Sequence, residues 1–152
     1  MITRVACLVV AAGLAVPLAL PVHAAQYLEP TNAQRSYGAG VVTKGGRIVW
    51  LAGTGGTMGP DGKKIADFAG QTRQAFRNIE ATVKRAGGTL ENIVSMTVMI
   101  RNQADGDEFV RIRGEFFKSK FPASMLITAK DFANSDLLVE IQSVAVIGDT
   151  LK

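Results

Sequence analysis

Leu137-Leu138-Val139-Glu140-Ile141-Gln142-Ser143-Val144-Ala145-Val146-Ile147 alternates between two sets of side chains with a period of two. Leu137, Val139, Ile141, Ser143, Ala145 and Ile147 fall on one side; Leu138, Glu140, Gln142, Val144 and Val146 fall on the other. A stretch of this length, rich in β-branched residues, reads as a long strand with one well-buried face. Glu140 stands among Leu138, Val139 and Ile141, an unusual place for an acid. Burial disfavours the charged form of a carboxylate, which makes such a residue a candidate for acid–base chemistry. A structural carboxylate paired with Arg or Lys, or one facing solvent, suits the same position.

Outward from this strand the pattern changes period several times. Asn134-Ser135-Asp136 marks a turn before it, and Ala123 to Ala129 (ASMLITA) is a shorter strand candidate. Phe121-Pro122 ends a helix expected over Asp105 to Lys118, with Phe109, Ile112 and Phe116 on its inward stripe. Asn92 to Arg101 alternates again, placing Val94, Met96, Val98 and Ile100 opposite Ser95 and Thr97. From Asp67 to Ala86 apolar residues recur at three- and four-residue steps, predicting an amphipathic helix closed by Gly87-Gly88. Val41 to Lys44 and Arg47 to Ala52 are β-rich runs around Gly45-Gly46, which predicts a hairpin. Ala25 to Ser36, with Pro30, shows no period and reads as an extended arm.

The order β-β-α-β-α-β-β predicts an α/β (α+β) fold: one sheet with two helices packed on one face. The bare face is then expected to be covered by neighbouring subunits.

Gly53 to Gly62 is glycine-rich and tempts a phosphate-binding interpretation. Thr57 stands where a Walker loop needs glycine, Lys64 stands where it needs Ser or Thr, and Met58 interrupts the dinucleotide spacing. A flexible loop or turn is the expectation there.

The first two dozen residues differ from all the others. Arg4 precedes an apolar run to Pro21, and Val22-His23-Ala24 has the small residues of a cleavage site, so residues 1–24 read as a signal peptide. The expectation is a periplasmic or secreted protein, free of the membrane after cleavage. Its domain would follow the arm of residues 25–36 and run over 37–152. Of 17 Lys and Arg against 13 Asp and Glu, only Arg4 lies in the signal, leaving a net charge of +3. The charges are scattered, unlike the clustered face that binds nucleic acid. Cys7 and His23, the chain's one cysteine and one histidine, also lie in the signal. Without them a disulfide, a cysteine nucleophile, a Ser-His-Asp triad and a Cys/His zinc site are excluded, and no metal site is expected.

Outside the final strand the candidates are weaker. Ser124 follows Phe121-Pro122-Ala123 and caps a turn or touches a ligand. Tyr37 is a pocket wall or an ordinary surface or core ring. Arg111 and Arg113 read as helix residues turned away from Phe109 and Phe116 and solvated.

Together these segments resemble the RidA/YjgF (Rid) family. The matching features are Tyr37 with Gly40-Val41, Leu51-Ala52-Gly53, Gln71, Asn78-Ile79, Ala86-Gly87, Ile93 to Ile100, Glu115-Phe116-Phe117, Phe121-Pro122-Ala123 and Leu138-Val139-Glu140-Ile141 with Ala145-Val146. The resemblance implies a chorismate-mutase-like mixed sheet and a homotrimer with ligand clefts between subunits. It also implies hydrolysis of imine or enamine acids to a keto acid and ammonia, with no metal or organic cofactor. Glu140 would activate water and Tyr37 would line the cleft. The residue after Phe-Pro-Ala would bind the substrate carboxylate; the family carries arginine there, and this chain has Ser124. Met125 and Leu126 make the same edge more apolar. Two expectations follow: an imine or enamine hydrolase using Arg111 or Arg113 as a relocated cation or taking a neutral substrate, or a binding protein that keeps the cleft without the chemistry. Ribonuclease activity, named in older descriptions of the family, has no cluster of basic or aromatic residues to support it.

Overall fold

The computed structural model describes residues 25–148. The segment read as a signal peptide, with Cys7 and His23, lies outside the described residues. The described chain forms a single six-stranded mixed sheet and two helices. In order these are β1 (Gln26–Asn32), β2 (Tyr37–Val42), β3 (Arg47–Thr54), α1 (Phe68–Arg85), β4 (Ile93–Ile100), α2 (Gly106–Phe116), β5 (Ala123–Thr128) and β6 (Val139–Ile147).

The periodic segments behave as expected. Oδ1 of Asp67 accepts the Gly70 N–H at 2.6 Å and so starts α1, satisfying one of the orphan donors of the first turn. Gly87, at φ +85°, ends it, and the Gly88 N–H returns to the Val83 carbonyl. Phe68, Thr72, Ala75, Phe76, Ile79 and Val83 are all buried beneath α1. Phe76 meets Phe109, Phe116 and Phe117, with ring centroids 4.8–5.9 Å apart, and so locks α1 to α2. The sheet side of the core is Met96, Val98 and Ile100 from β4 with Val139, Ile141 and Ala145 from β6.

Strand pairing departs from expectation near the N-terminus. The sheet order is β1-β2-β5-β4-β6-β3, so β2 and β3 are not a hairpin. Gly45 and Gly46 do adopt φ of +70° and +75°, as a tight turn needs, yet β2 pairs with β1 and β5 while β3 pairs antiparallel with β6. Local turn chemistry permitted the hairpin; the apolar faces of β3 and β6 outweighed it.

Residues 26–32, read as an arm, form the edge strand β1. A register shift between Leu28 and Thr31 breaks the alternation that would have revealed it, and Pro30 is tolerated because an edge strand has one unpaired side.

Candidate functional site

Glu140 lies near the start of β6, and the helix in front of it determines where that strand begins. Gln71 of α1 is buried, and its Oε1 accepts the Leu138 N–H while its Nε2 donates to the carbonyls of Asp136 and Ile65, all at 2.9 Å. One side chain thus ties the helix, the segment leading into it and the strand entry together. Glu140 pairs with Met99 of β4, which places it on the face no helix covers. It is half-buried, and its carboxylate makes neither an ion pair nor a hydrogen bond among the described residues. The salt-bridged alternative is therefore not what the fold builds.

The space for this carboxylate comes from Gly53. A Cβ at that position would lie 2.4 Å from Glu140 Oε1, so any side chain would displace it. Gly53 is thus closely packed, whereas Gly62, at φ +76°, stands in open space in a turn closed by its N–H donating to the Gly59 carbonyl. Gly56 is likewise buried against α1, where a Cβ would meet the Gln71 carbonyl at 2.1 Å.

A second group of residues gathers around α2. Arg113, expected to be solvated, is only 2% exposed. The reason is helical spacing: four residues after Phe109, it lies on the same face, with its guanidinium carbon 5.2 Å from the Phe109 ring centroid. Its Nη1 donates to Oγ of Ser124 at 2.5 Å and its Nη2 to the backbone carbonyl of Arg35. Ser36 follows with φ +56°, a left-handed conformation uncommon for serine, and turns the chain so that Arg35 and Tyr37 both approach Arg113. Burial, then the positive charge of Arg35, pull the Arg113 pKa down to about 10, against a smaller opposing effect of Tyr37. Tyr37 is partly exposed, at 37%.

Arg111 is unlike its neighbour. It sits on the outer surface, bonded to Glu108 and Glu115, and has no part in this group. Of the two arginines on α2, only Arg113 reaches Ser124.

An open cleft of about 820 Å³ borders this second group. Leu126, two residues along the same face of β5 from Ser124, lines it with Ile100, Thr128 and the ion-paired Arg35 and Asp107. Polar backbone from Asn102 to Gly106 closes the remaining side.

The candidates therefore form two groups. Ser124, Leu126, Arg113 and Tyr37 converge, whereas Glu140 stands apart. Ser124 pairs with Met96 and Glu140 with Met99, residues on opposite faces of β4, and β4 separates their strands. Within one chain they do not meet. Gln71 had a usable signal that passed unread as burial: it lies three residues after Phe68 and four before Ala75, on the inward stripe of α1. Gly53 had no such signal, because the close approach it permits comes from β6, far along the chain.

Among the described residues no cluster of His, Cys, Asp and Glu could hold a metal ion. No helix among them is long and apolar enough to cross a membrane.

The family described as Endoribonuclease L-PSP matches residues 29–147. A RutC family protein of Pyrococcus horikoshii is 27% identical over 103 residues, covering 67% of this chain and 81% of that protein. A 2-iminobutanoate/2-iminopropanoate deaminase of Dermatophagoides farinae is 32% identical over 77 residues, 51% of this chain and 59% of that protein. A 3-aminoacrylate deaminase of Acinetobacter baylyi is 30% identical over 81 residues, 53% of this chain and 64% of that protein. Among solved structures, a Rid family protein of unknown function from Yersinia pestis superposes with a TM-score of 0.73 at 21% identity, over 82% of this chain and 99% of that one. RidA from an Antarctic Psychrobacter superposes with a TM-score of 0.63 at 23% identity, over 79% and 100%. These two likenesses establish the fold.

Proposed function

This chain belongs to the endoribonuclease L-PSP family, the RidA/YjgF proteins, and from that membership we propose that it hydrolyses small reactive imines or enamines to a carbonyl compound and ammonia. The carrying observation is Glu140: a half-buried carboxylate, bound to no cation among the described residues, with Gly53 leaving room beside it. Such a group is available to take a proton. An enamine first tautomerises to the imine. Glu140 then accepts a proton from water as the water oxygen attacks the C=N carbon. Returned to the nitrogen, that proton completes the carbinolamine; Glu140 then takes the hydroxyl proton and passes it to the nitrogen, which leaves as ammonia as C=O forms. Water enters, ammonia departs, and the reaction needs no redox step and no cofactor. Relatives named as deaminases of 2-imino acids and 3-aminoacrylate support this choice of substrate class.

That Glu140 and Ser124 lie on opposite faces of one sheet supports a working site shared between subunits, which we propose form a homotrimer. Ile48, Trp50, Met125 and Ile127 are exposed, Trp50 at 73%, and packing between copies would cover such a surface. That packing brings Glu140 of one subunit to the cleft of the next. The export expectation belongs to the same proposal: residues 1–24 carry the chain out of the cytoplasm, where amine oxidation is a source of imines. RNA cleavage is disfavoured, since the basic residues are scattered and many are ion-paired.

A binding role without turnover is the second reading, favoured by the serine at position 124. Ammonia release separates the two. With imines generated in situ by an amino-acid oxidase, the wild type should accelerate release. Glu140→Gln should lose at least about a hundredfold in rate. Thermal unfolding and oligomer size should be unchanged. No acceleration by the wild type over the uncatalysed rate would sink the enzymatic reading and leave the binding one.

A further inference from the structure

Glu140 is the second residue of β6 and stands where the ladder runs out. On one side, β3 pairs no further than Thr54 with Ile141, just past a register shift; on the other, β4 pairs no further than Ile100 with Val139. Its carboxylate has no bonded partner among the described residues, so nothing attached to the side chain fixes its place. Strand ends open more readily than strand centres. A carboxylate at such an end keeps one position only if the main chain before it is held.

Arg101, the residue after β4, supplies most of that hold. Its backbone N–H donates to the Leu138 carbonyl and its Nε to the Leu137 carbonyl, both at 2.9 Å. Its Nη2 donates to the Ser135 carbonyl at 3.2 Å. Gln71 takes the carbonyl between these, that of Asp136, and also the Leu138 N–H. Every carbonyl from Ser135 to Leu138 is therefore bonded to one of two residues, in a stretch whose first half is exposed. The guanidinium also lies over the Phe132 ring, 5.3 Å from its centroid, which fixes the plane of the fork. Its Nη1 reaches Asp131 at 3.5 Å, but Asp131 is exposed and such a pair contributes little. Two carbonyls gripped by one planar fork is an arrangement that lysine cannot copy.

We propose that Arg101 is a positioning residue for Glu140: by pinning the main chain from Ser135 to Leu138 it delivers the carboxylate to one place without touching it. The catalytic consequence rests on the hydrolytic reading of Glu140 above; the hold on the strand entry does not. A displaced base costs rate far more than affinity, because the geometry of proton transfer is affected while the groups that bind substrate stay where they are.

The test uses the full protein in the assembly it forms, with two readouts: ammonia release from imines generated in situ, and amide hydrogen exchange resolved along β6. Arg101→Met keeps the stem and removes the fork. Its kcat should fall by on the order of tenfold or more while KM stays within about twofold. Exchange should quicken at Leu138 to Ile141 and stay as in the wild type along α1 and α2. Arg101→Lys, which restores one donor, should recover part of the rate. Asp131→Asn, which removes only the exposed ion pair, should match the wild type in both readouts. An Arg101→Met protein with wild-type kcat would overturn the proposal and keep the hydrolase. So would a rate loss accompanied by faster exchange throughout the chain and no rescue by lysine, since that marks a merely structural residue. A wild type that releases no ammonia, with exchange at Leu138 to Ile141 still quickened by Arg101→Met, would overturn the hydrolase reading and with it the catalytic role of Arg101, leaving only its hold on the strand. If Arg101→Met does not fold, Arg101→Lys and Arg101→Gln decide in the same way.

Discussion

Along β6, Val139, Ile141, Ser143 and Ala145 are buried beneath the helices, whereas Glu140 and Gln142, the residues between them, turn to the face without helices. The same strand thus serves two environments one residue apart. On the covered face, side chains are judged by how well they fill space under α1 and α2. On the open face, an acid and an exposed Trp50 are tolerated, and in a single chain neither has an evident structural partner. Stability is concentrated on the covered side, where Arg113 meets Ser124; Glu140 and the exposed apolar residues lie on the other.

The largest effect should come from the covered face. Phe76→Ala removes the ring that joins α1 to three phenylalanines of and after α2. It should cost about 3–5 kcal/mol of unfolding free energy, read by denaturant titration. A loss below about 1 kcal/mol would mean that the helices are not held by this cluster. Gly53→Ala probes the boundary between the faces. Its methyl group would displace the Glu140 carboxylate, so ammonia release should fall by on the order of tenfold or more while the fold survives. Unchanged turnover would mean that the position of Glu140 does not matter to the reaction. Trp50→Ser should have the smallest effect on the subunit itself, within about 0.5 kcal/mol. Its effect should instead be on assembly, shifting the species seen in sedimentation from the proposed trimer toward monomer. A strongly destabilised subunit without a change in assembly would show that Trp50 is packed within its own chain, against the open-face description.

Several parts of this contrast are legible in the sequence. The period of two in β6 correctly separated Glu140 from Val139 and Ile141. The three- and four-residue steps of α1 located its buried stripe, and Asp67 and Gly87 lie where its caps are. Arg113 was legible in principle, since a residue four after Phe109 shares its helical face, yet a charged side chain invites a solvated reading. β1 was hidden because its register shift and Pro30 remove the alternation that identifies a strand. The false hairpin at Gly45-Gly46 is instructive in the opposite sense. Its turn residues took the positive φ values expected of them, but a turn constrains only neighbours in sequence.

What the sequence alone determined were the features written in periodicity and caps: two amphipathic helices, the alternating strands, the face of β6 that carries Glu140, and a chemistry without cysteine or histidine in residues 25–152. These depend on local geometry, which repeats every 3.6 or 2.0 residues and is visible in a short window. Tertiary structure decided which strands pair, that Gly53 makes room for Glu140, that Gln71 sets the entry to β6, and that the Arg113 guanidinium lies buried against Ser124. Each of these joins groups distant along the chain or on different elements, and their energies come from packing and desolvation that exist only once the sheet and helices have come together.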